Sequence, residues 1–516
     1  MALSLVSVRL FVGRLAARVI RRFGLHLSEA HLAIGAIAVL AVVFSPLQVW
    51  AKVLLALPIA LLSLVSFDGW LFTGWIGRAL GIRRPTREQA PSETDRGSIA
   101  FPGEDVAVRW DGPDLVGLVA VHARPLGATV VVNGQALHDD VVDTRVVEES
   151  LRRSGIDASA DIVSPGYRVA PSAPGPVYGW GEELLGADPA PALRRMFIEI
   201  RVDPTEVYRQ TRWRGEGLKA VANAVVSVAT RVADDLSAVG VDARPAATFD
   251  LYDQLTGRGE VITEQQWSAL RLKTGYTTMF YAPGGPDVWW SVRALRTVTR
   301  TRVRVGHLPS TVVALTTHRP IERDPNGWTR LRGIQLEALR RHSDVPGEHL
   351  RLPVGSAGVL VGRTALDGSA MYVSFDAAEA SLQINDAQPL SQELALRIAV
   401  RASAAGAQLC LPNDMGAVAA ALRAPTGQQP HYRWPGAHAA TWLGTHRSGP
   451  QVTLSPLMIE LPTGQYALQP VNAREEAVIG VRIPAPGEHI AQDEKGGSQL
   501  AGGYGKWSKA IERSNI

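Results

Sequence analysis

The chain has 516 residues with one cysteine, Cys410, and 53 Lys and Arg against 49 Asp and Glu, for a net charge of +4. One cysteine excludes an intrachain disulfide and any zinc site built on cysteine pairs. Much of the small basic excess lies near the N-terminus, so the remainder is close to neutral and carries no electrostatic footprint for nucleic acid.

In chain order, residues 1–28 are basic, and arginines alternate with apolar residues from Val8 to Phe23. That spacing predicts an interfacial amphipathic helix attracted to anionic lipid. From Leu32 to Ile76 only Lys52 and Asp68 are charged. As one helix this run would extend roughly 67 Å, about twice a hydrocarbon core. The polar break at Ser45, Pro46, Gln48 and Lys52 divides it, so a hairpin of two transmembrane helices is expected within residues 29–77. Basic residues that flank spans stay cytoplasmic. Arg18, Arg21 and Arg22 before the run, and Arg78, Arg83 and Arg84 after it, therefore set the topology: inner membrane, both termini cytoplasmic. Asp68 could mark a proton path as an intramembrane carboxylate, but its place beside Gly69 and Trp70, near the end of the second span, favours a headgroup contact.

Residues 78–98 read as a linker, 99–325 as a first cytoplasmic α/β region, 326–485 as a second, and 486–516 as a disordered tail. Val106–Trp110 and Leu115–His122 flank Asp111-Gly112-Pro113-Asp114, a hairpin signal. Thr129–Val132 leads into Asn133-Gly134 and continues the pattern. Asp143–Arg153 has helical character, and Met196–Val202 alternates as a strand that stops at Asp203-Pro204. Gly215–Val239 is the clearest helix, with Leu218, Val221, Ala222, Val225, Val228, Ala229, Val232 and Leu236 on one face and Gly240 as its stop. Short helical pieces are expected near Phe249–Leu255 and Glu264–Leu270. Strands are expected at Thr277–Tyr281, Val288–Leu295, Val298–Val305 and Thr311–Thr317. A helix at Leu331–Arg341, strands at Val359–Gly362 and Met371–Phe375, and a helix–strand pair at Leu394–Ala404 and Gln408–Leu411 complete a mixed α/β pattern.

The search for chemistry finds little. Gly215-Glu216-Gly217-Leu218-Lys219-Ala220 matches G-x-G-x-x-A at a helix start, but the preceding strand ends about a dozen residues earlier, too far for a dinucleotide fingerprint. Gly355-Ser356-Ala357-Gly358 is not a nucleophile elbow and reads as a tight turn. His138, Asp139, Asp140 and Asp143 could hold a divalent metal, although such clusters are more often turns and helix starts. No P-loop and no paired Asp-x-Asp occur. No catalytic, cofactor or metal residue is assigned. Trp289-Trp290 follows the Pro283-Gly284-Gly285-Pro286-Asp287 loop. On a strand the two rings would point to opposite faces, one into the core and one toward a possible partner surface.

Several motifs together resemble the EccE family, a membrane component of the mycobacterial type VII (ESX) secretion machinery, and its ESX-1 branch most closely. They are VAVRWDG at Val106–Gly112, FIEIRVDP at Phe197–Pro204, the Gly215–Pro245 helix segment, PGGPDVWWSVRA at Pro283–Ala294 and LPVGSAGVLVG at Leu352–Gly362. The likeness spans roughly Leu32 to Gly362. It implies a non-catalytic core-complex subunit beside EccB, EccC and EccD, with EccC supplying ATPase activity. It also implies a peripheral cytoplasmic domain that contacts EccD, with a fold like a degenerate glycosyltransferase and no family catalytic residue to carry over. The alternative is a membrane-tethered, glycosyltransferase-like enzyme of envelope synthesis.

Overall fold

The computed structural model describes residues 106–469 with short interruptions, and a few residues before position 72. Two large β-sheets dominate it, with helices packed against both.

The first sheet has twelve strands. Its main path runs Asp242–Pro245, Asp114–His122, Met196–Val202, Ser159–Tyr167, Arg296–Arg304, His307–Thr317, Tyr276–Tyr281, Leu270–Leu272 and Ile262–Gln265, and every neighbouring pair is antiparallel. Side chains alternate across the sheet with a period of two. Met196, Ile198, Ile200 and Val202 join Leu115, Val119 and Ile162 on one face, where the helices Gly217–Ala238 and Thr144–Ser154 cover them. Gly117 lets the long helix approach closely, since a Cβ there would lie 2.7 Å from Val225 Cγ1. The opposite face carries Val116, Leu118, Val163 and Phe197 under the short helix Asp250–Thr256.

The second sheet has eleven strands. Its strands from Val359–Thr364 onward lie late in the chain, but Ala128–Val132 and Gln135–His138 join it from far upstream. Ala380–Ile384 pairs in parallel with both Ala440–Leu443 and Gln451–Ser455, and the other pairs are antiparallel. The helix Leu390–Ala404 packs on this sheet and against the helix Gly175–Leu185. The two cores are thus interleaved along the sequence.

Two parts of the expected fold class are corrected. The sheets are largely antiparallel and strand-dominated, so neither a mixed α/β domain nor a glycosyltransferase-like fold describes them. Strand and helix do alternate in the sequence, but a parallel sheet needs crossover connections that return each strand in the same direction. Here the strands reverse, as at the Arg296–Arg304 and His307–Thr317 hairpin.

The membrane hairpin is the second correction. Val65–Phe67 and Trp70–Leu71, inside the expected second span, form antiparallel strands with Phe67 opposite Trp70, and Phe23–Leu25 pairs alongside. In the sequence, Asp-Gly is a dipeptide that favours tight hairpins, and apolar run length alone does not weigh it. No helix among the described residues is long and apolar enough to cross a membrane.

Shorter elements differ too. Val288–Leu295 is not a strand: Pro286–Trp290 is a helical turn with Pro at its start and Asp287 in its first turn, both favoured there. Glu264–Leu270 is not helical, because Ile262–Gln265 and Leu270–Leu272 pair as a hairpin.

Candidate functional site

The face of the first sheet beneath Asp250–Thr256 holds a buried ionic network. Glu199 and Asp161 stand directly opposite each other on neighbouring strands, and Asp161 stands opposite Arg302. Two carboxylates so placed repel unless cations bridge them. Arg201 donates to Glu199 Oε2 at 2.7 Å, and its Nε lies 2.9 Å from Asp161 Oδ2. Arg300 Nη1 donates to Glu199 Oε2 at 3.1 Å and to Asp161 Oδ2 at 3.3 Å. Arg302 grips Asp161 with two bonds of 2.7 and 2.9 Å, the fork geometry that makes Arg–carboxylate pairs strong.

The network continues to the rim of the sheet. Arg201 reaches Asp111 and Asp114, at the two ends of the predicted turn, at 2.5 and 3.3 Å. Arg258 pairs with Asp111 and donates to Glu199 Oε1 at 3.1 Å. Arg109 binds Asp253 at 2.7 Å and lies 3.8 Å above the Phe249 ring. Tyr252 accepts from Arg300 at 3.1 Å. Five carboxylates (Asp111, Asp114, Asp161, Glu199, Asp253) thus meet five guanidiniums (Arg109, Arg201, Arg258, Arg300, Arg302), and their charges cancel.

Burial alone would push the Glu199 and Asp161 carboxyls up. The arginines around them outweigh it and hold both well below the usual carboxylate range. Asp111 is held low in the same way by Arg258 and Arg201, whereas burial wins at Asp114 and raises it. Burial also raises the Tyr252 phenol. Every carboxylate in the network is committed to a cation, an arrangement suited to fixing strand register rather than to proton transfer.

A second buried cluster joins the two sheets. Arg194, on the two-residue strand Leu193–Arg194 beside Ser159–Tyr167, donates from Nε to Gly355 O at 2.7 Å. Its backbone N–H donates to Ser356 Oγ at 3.0 Å, and its guanidinium lies 5.6 Å from the Trp290 ring centroid. Gly355 and Ser356 lead into the Val359–Thr364 strand of the second sheet. Close by, Arg168 donates to Glu182, Gly186 O and Asp188 O at 3.2, 3.0 and 3.2 Å. Tyr372, on the second sheet, donates to Asp188 Oδ2 at 3.2 Å. The Ala170 N–H donates to Ala404 O at 2.8 Å, tying the end of the first sheet to the helix under the second.

Comparison with known proteins decides the family. The EccE family model, described as a putative type VII ESX secretion system translocon, matches residues 190–282. The ESX-1 secretion system protein EccE1 of Mycolicibacterium smegmatis is 39% identical over 433 residues, covering 83% of this chain and 90% of that protein. EccE1 of Mycobacterium tuberculosis is 39% identical over 439 residues, covering 84% and 92%. The ESX-2 secretion system protein EccE2 of Mycobacterium tuberculosis is 27% identical over 377 residues, covering 68% and 67%. This chain belongs to the EccE family. It is a type VII secretion subunit, and nothing in these likenesses points to a glycosyltransferase. The span matched by the EccE model contains Arg194, Glu199, Arg201, Asp253 and Arg258, so it runs through both buried clusters.

The residues singled out from the sequence fall in different places. Arg18, Arg21, Arg22, Arg78, Arg83 and Arg84 lie outside the described residues, as does Gly215. Trp289 and Trp290 are each only 1% exposed. Trp289 Nε1 donates to Ala282 O at 3.1 Å, and both rings belong to the core that the long helix shares. As folded, they offer no surface to a partner. The His138–Asp143 cluster divides among structural tasks. Asp143 caps the helix Thr144–Ser154 by accepting from the Arg145 N–H at 2.9 Å, and Asp140 pairs with Arg124 at 3.0 Å. His138 approaches Thr129 Oγ1 at 3.0 Å and Arg194 at 3.4 Å, and burial together with the Arg194 charge pushes it down to about 3. Ser356 is buried against Arg194.

The ionic network was missed. Its signal lay in charged residues at core-facing positions of otherwise apolar strands, in VRWD, IEIRV and TRTRVR.

Proposed function

We propose that this EccE-family subunit is a non-catalytic brace of the secretion complex at the inner membrane. Its two-sheet body and both termini stand on the cytoplasmic side, beside EccB, EccC and EccD. The joint at Arg194 carries this reading. Its buried guanidinium binds Gly355 O and its backbone N–H binds Ser356 Oγ, so the first sheet is tied to the loop that leads into the second. The committed carboxylates on the first sheet favour a mechanical role over acid–base chemistry. The basic residues Arg18, Arg21, Arg22, Arg78, Arg83 and Arg84 support the cytoplasmic side, where anionic lipid attracts them.

Mild-detergent purification of the tagged chain, expressed with its natural operon, tests the proposal. The brace reading expects EccB, EccC and EccD in one large complex with it. Recovery as a lone monomer that binds a nucleotide sugar would contradict it.

A further inference from the structure

One corner of the first sheet exposes apolar residues that folding does not require. Arg296–Arg304 and His307–Thr317 are joined through Val305-Gly306. Gly306 supplies the positive φ of +76° that the turn needs. Val305 supplies nothing comparable, since turns favour Gly, Pro, Asn, Asp and Ser. Yet Val305 is 39% exposed and Leu308 55%.

Three segments meet at this corner. The Gly306 N–H donates to Glu148 Oε1 at 3.1 Å on the helix Thr144–Ser154. His349 Nε2 lies 3.8 Å from Glu148 Oε2, and the Leu350 N–H donates to Thr144 Oγ1 at 3.0 Å. The Gly347 N–H donates to Pro309 O at 2.7 Å, and Arg351 pairs opposite Asp143. Arg304 and His307 adjoin Val305 and Leu308 in the chain, Arg145 lies one helical turn before Glu148, and Arg351 stands opposite Asp143 at the start of that helix; Arg145, His307 and Arg351 are exposed. Among the acids, Asp143 caps the helix and Glu148 also binds Arg152, while Glu348 is exposed.

We propose that this corner contacts the bilayer. Val305 and Leu308 enter the headgroup layer of an anionic leaflet, and Arg145 and Arg351 meet lipid phosphates. The proposal rests on the inner-membrane reading above. Apolar burial and attraction to anionic lipid act together at such surfaces. The shape favours lipid over a protein partner. Protein interfaces seat anchor residues in pockets, whereas a convex turn tip can sink into a fluid headgroup layer.

The test uses the full chain carrying Cys410→Ser and Leu308→Cys, labelled with nitrobenzoxadiazole. It is reconstituted in vesicles of phosphatidylcholine, alone or in equal parts with phosphatidylglycerol. In the anionic vesicles, the label at position 308 should shift to the blue and be quenched by a lipid spin-labelled at the headgroup. A label placed by Leu366→Cys, at a residue 97% exposed in the turn between Val359–Thr364 and Ala370–Val373, should remain aqueous. Arg145→Gln and Arg351→Gln should each lower the quenched population at position 308, by roughly fivefold. An aqueous label in both vesicle types, or quenching indifferent to lipid charge, overturns the proposal while the inner-membrane reading stands. Shielding that appears only when EccB, EccC and EccD are added overturns it in favour of a protein contact. Failure of the chain to fractionate with membranes overturns both.

Discussion

On the first sheet, the face turned away from the long helix pairs five carboxylates with five guanidiniums, and buries Asp161, Glu199, Arg109, Arg201 and Arg300 among them. The interior of the second sheet is built from residues such as Leu360, Met371, Leu382, Leu396, Ile398, Val452, Leu454 and Ile459. The second core does admit Arg401, which donates to Leu360 O at 3.0 Å, but burial and the nearby Arg397 charge push it down to about 9. The contrast teaches what the charges do. Slipping a strand by one residue moves every side chain to the other face. In the first sheet a slip of Met196–Val202 would carry Glu199 and Arg201 under the apolar helix, away from their partners. The ionic face thus specifies register, while the apolar sheet relies on volume and shape. Buried ion pairs are retained for such specificity in some proteins, without adding net stability.

The largest way to break the contrast is Glu199→Gln. It leaves Arg201, Arg300 and Arg258 short of a buried counter-charge and should cost about 3–5 kcal/mol, read by urea denaturation with signals from both sheets. A cost below about 1 kcal/mol would mean that the network is not desolvated. Leu454→Ala, in the apolar sheet, should cost about 2–4 kcal/mol through the cavity it leaves. The contrast would blur if that cost changed with salt.

Acid should weaken the fold in two phases, the first from histidines and the second from carboxylates. His138 contributes first. Its folded value is depressed to about 3 from an ordinary 6.5, so its stability is present above about pH 6.5 and is lost as pH falls toward 3, at roughly 1 kcal/mol per pH unit. His138→Asn should reduce that slope, and His122, lowered chiefly by burial on the first sheet, should keep the remainder. Glu199, Asp161 and Asp111 are also depressed, from ordinary values of 4.5 and 3.8, so their contribution holds above those values and fails below them. A pH series of thermal melts should show both phases. The smallest effect belongs to Arg244→Ala. Arg244 pairs with Asp242 at 3.1 Å in the open and should be worth about 0–0.5 kcal/mol.

Local signals were legible where one chain segment decides the outcome. The Gly217–Ala238 helix, the Met196–Val202 strand with its Asp203-Pro204 stop, the Asp111–Asp114 turn and the Asn133-Gly134 turn all follow from periodicity and turn chemistry. What escaped depends on distant pairing. Glu264–Leu270 has helical composition, yet it is drawn into strands beside Tyr276–Tyr281. Arg302 and Asp161 are 141 residues apart in sequence, and no window shows that they meet. The EccE family was legible from ordered motifs, and VAVRWDG and FIEIRVDP among them contain Arg109, Asp111, Glu199 and Arg201, whose pairing only the fold reveals.

The central claim is that two unlike sheets behave as one rigid body and that Arg194 is the decisive tie between them, beside the Tyr372–Asp188 and Ala170–Ala404 bonds. Hydrogen exchange read by mass spectrometry along a denaturant series tests it most directly, comparing wild type with Arg194→Leu. The account predicts that strands Met196–Val202 and Val359–Thr364 lose protection together in the wild type and separately in the variant. Separate transitions in the wild type, or coincident ones in Arg194→Leu, would contradict it.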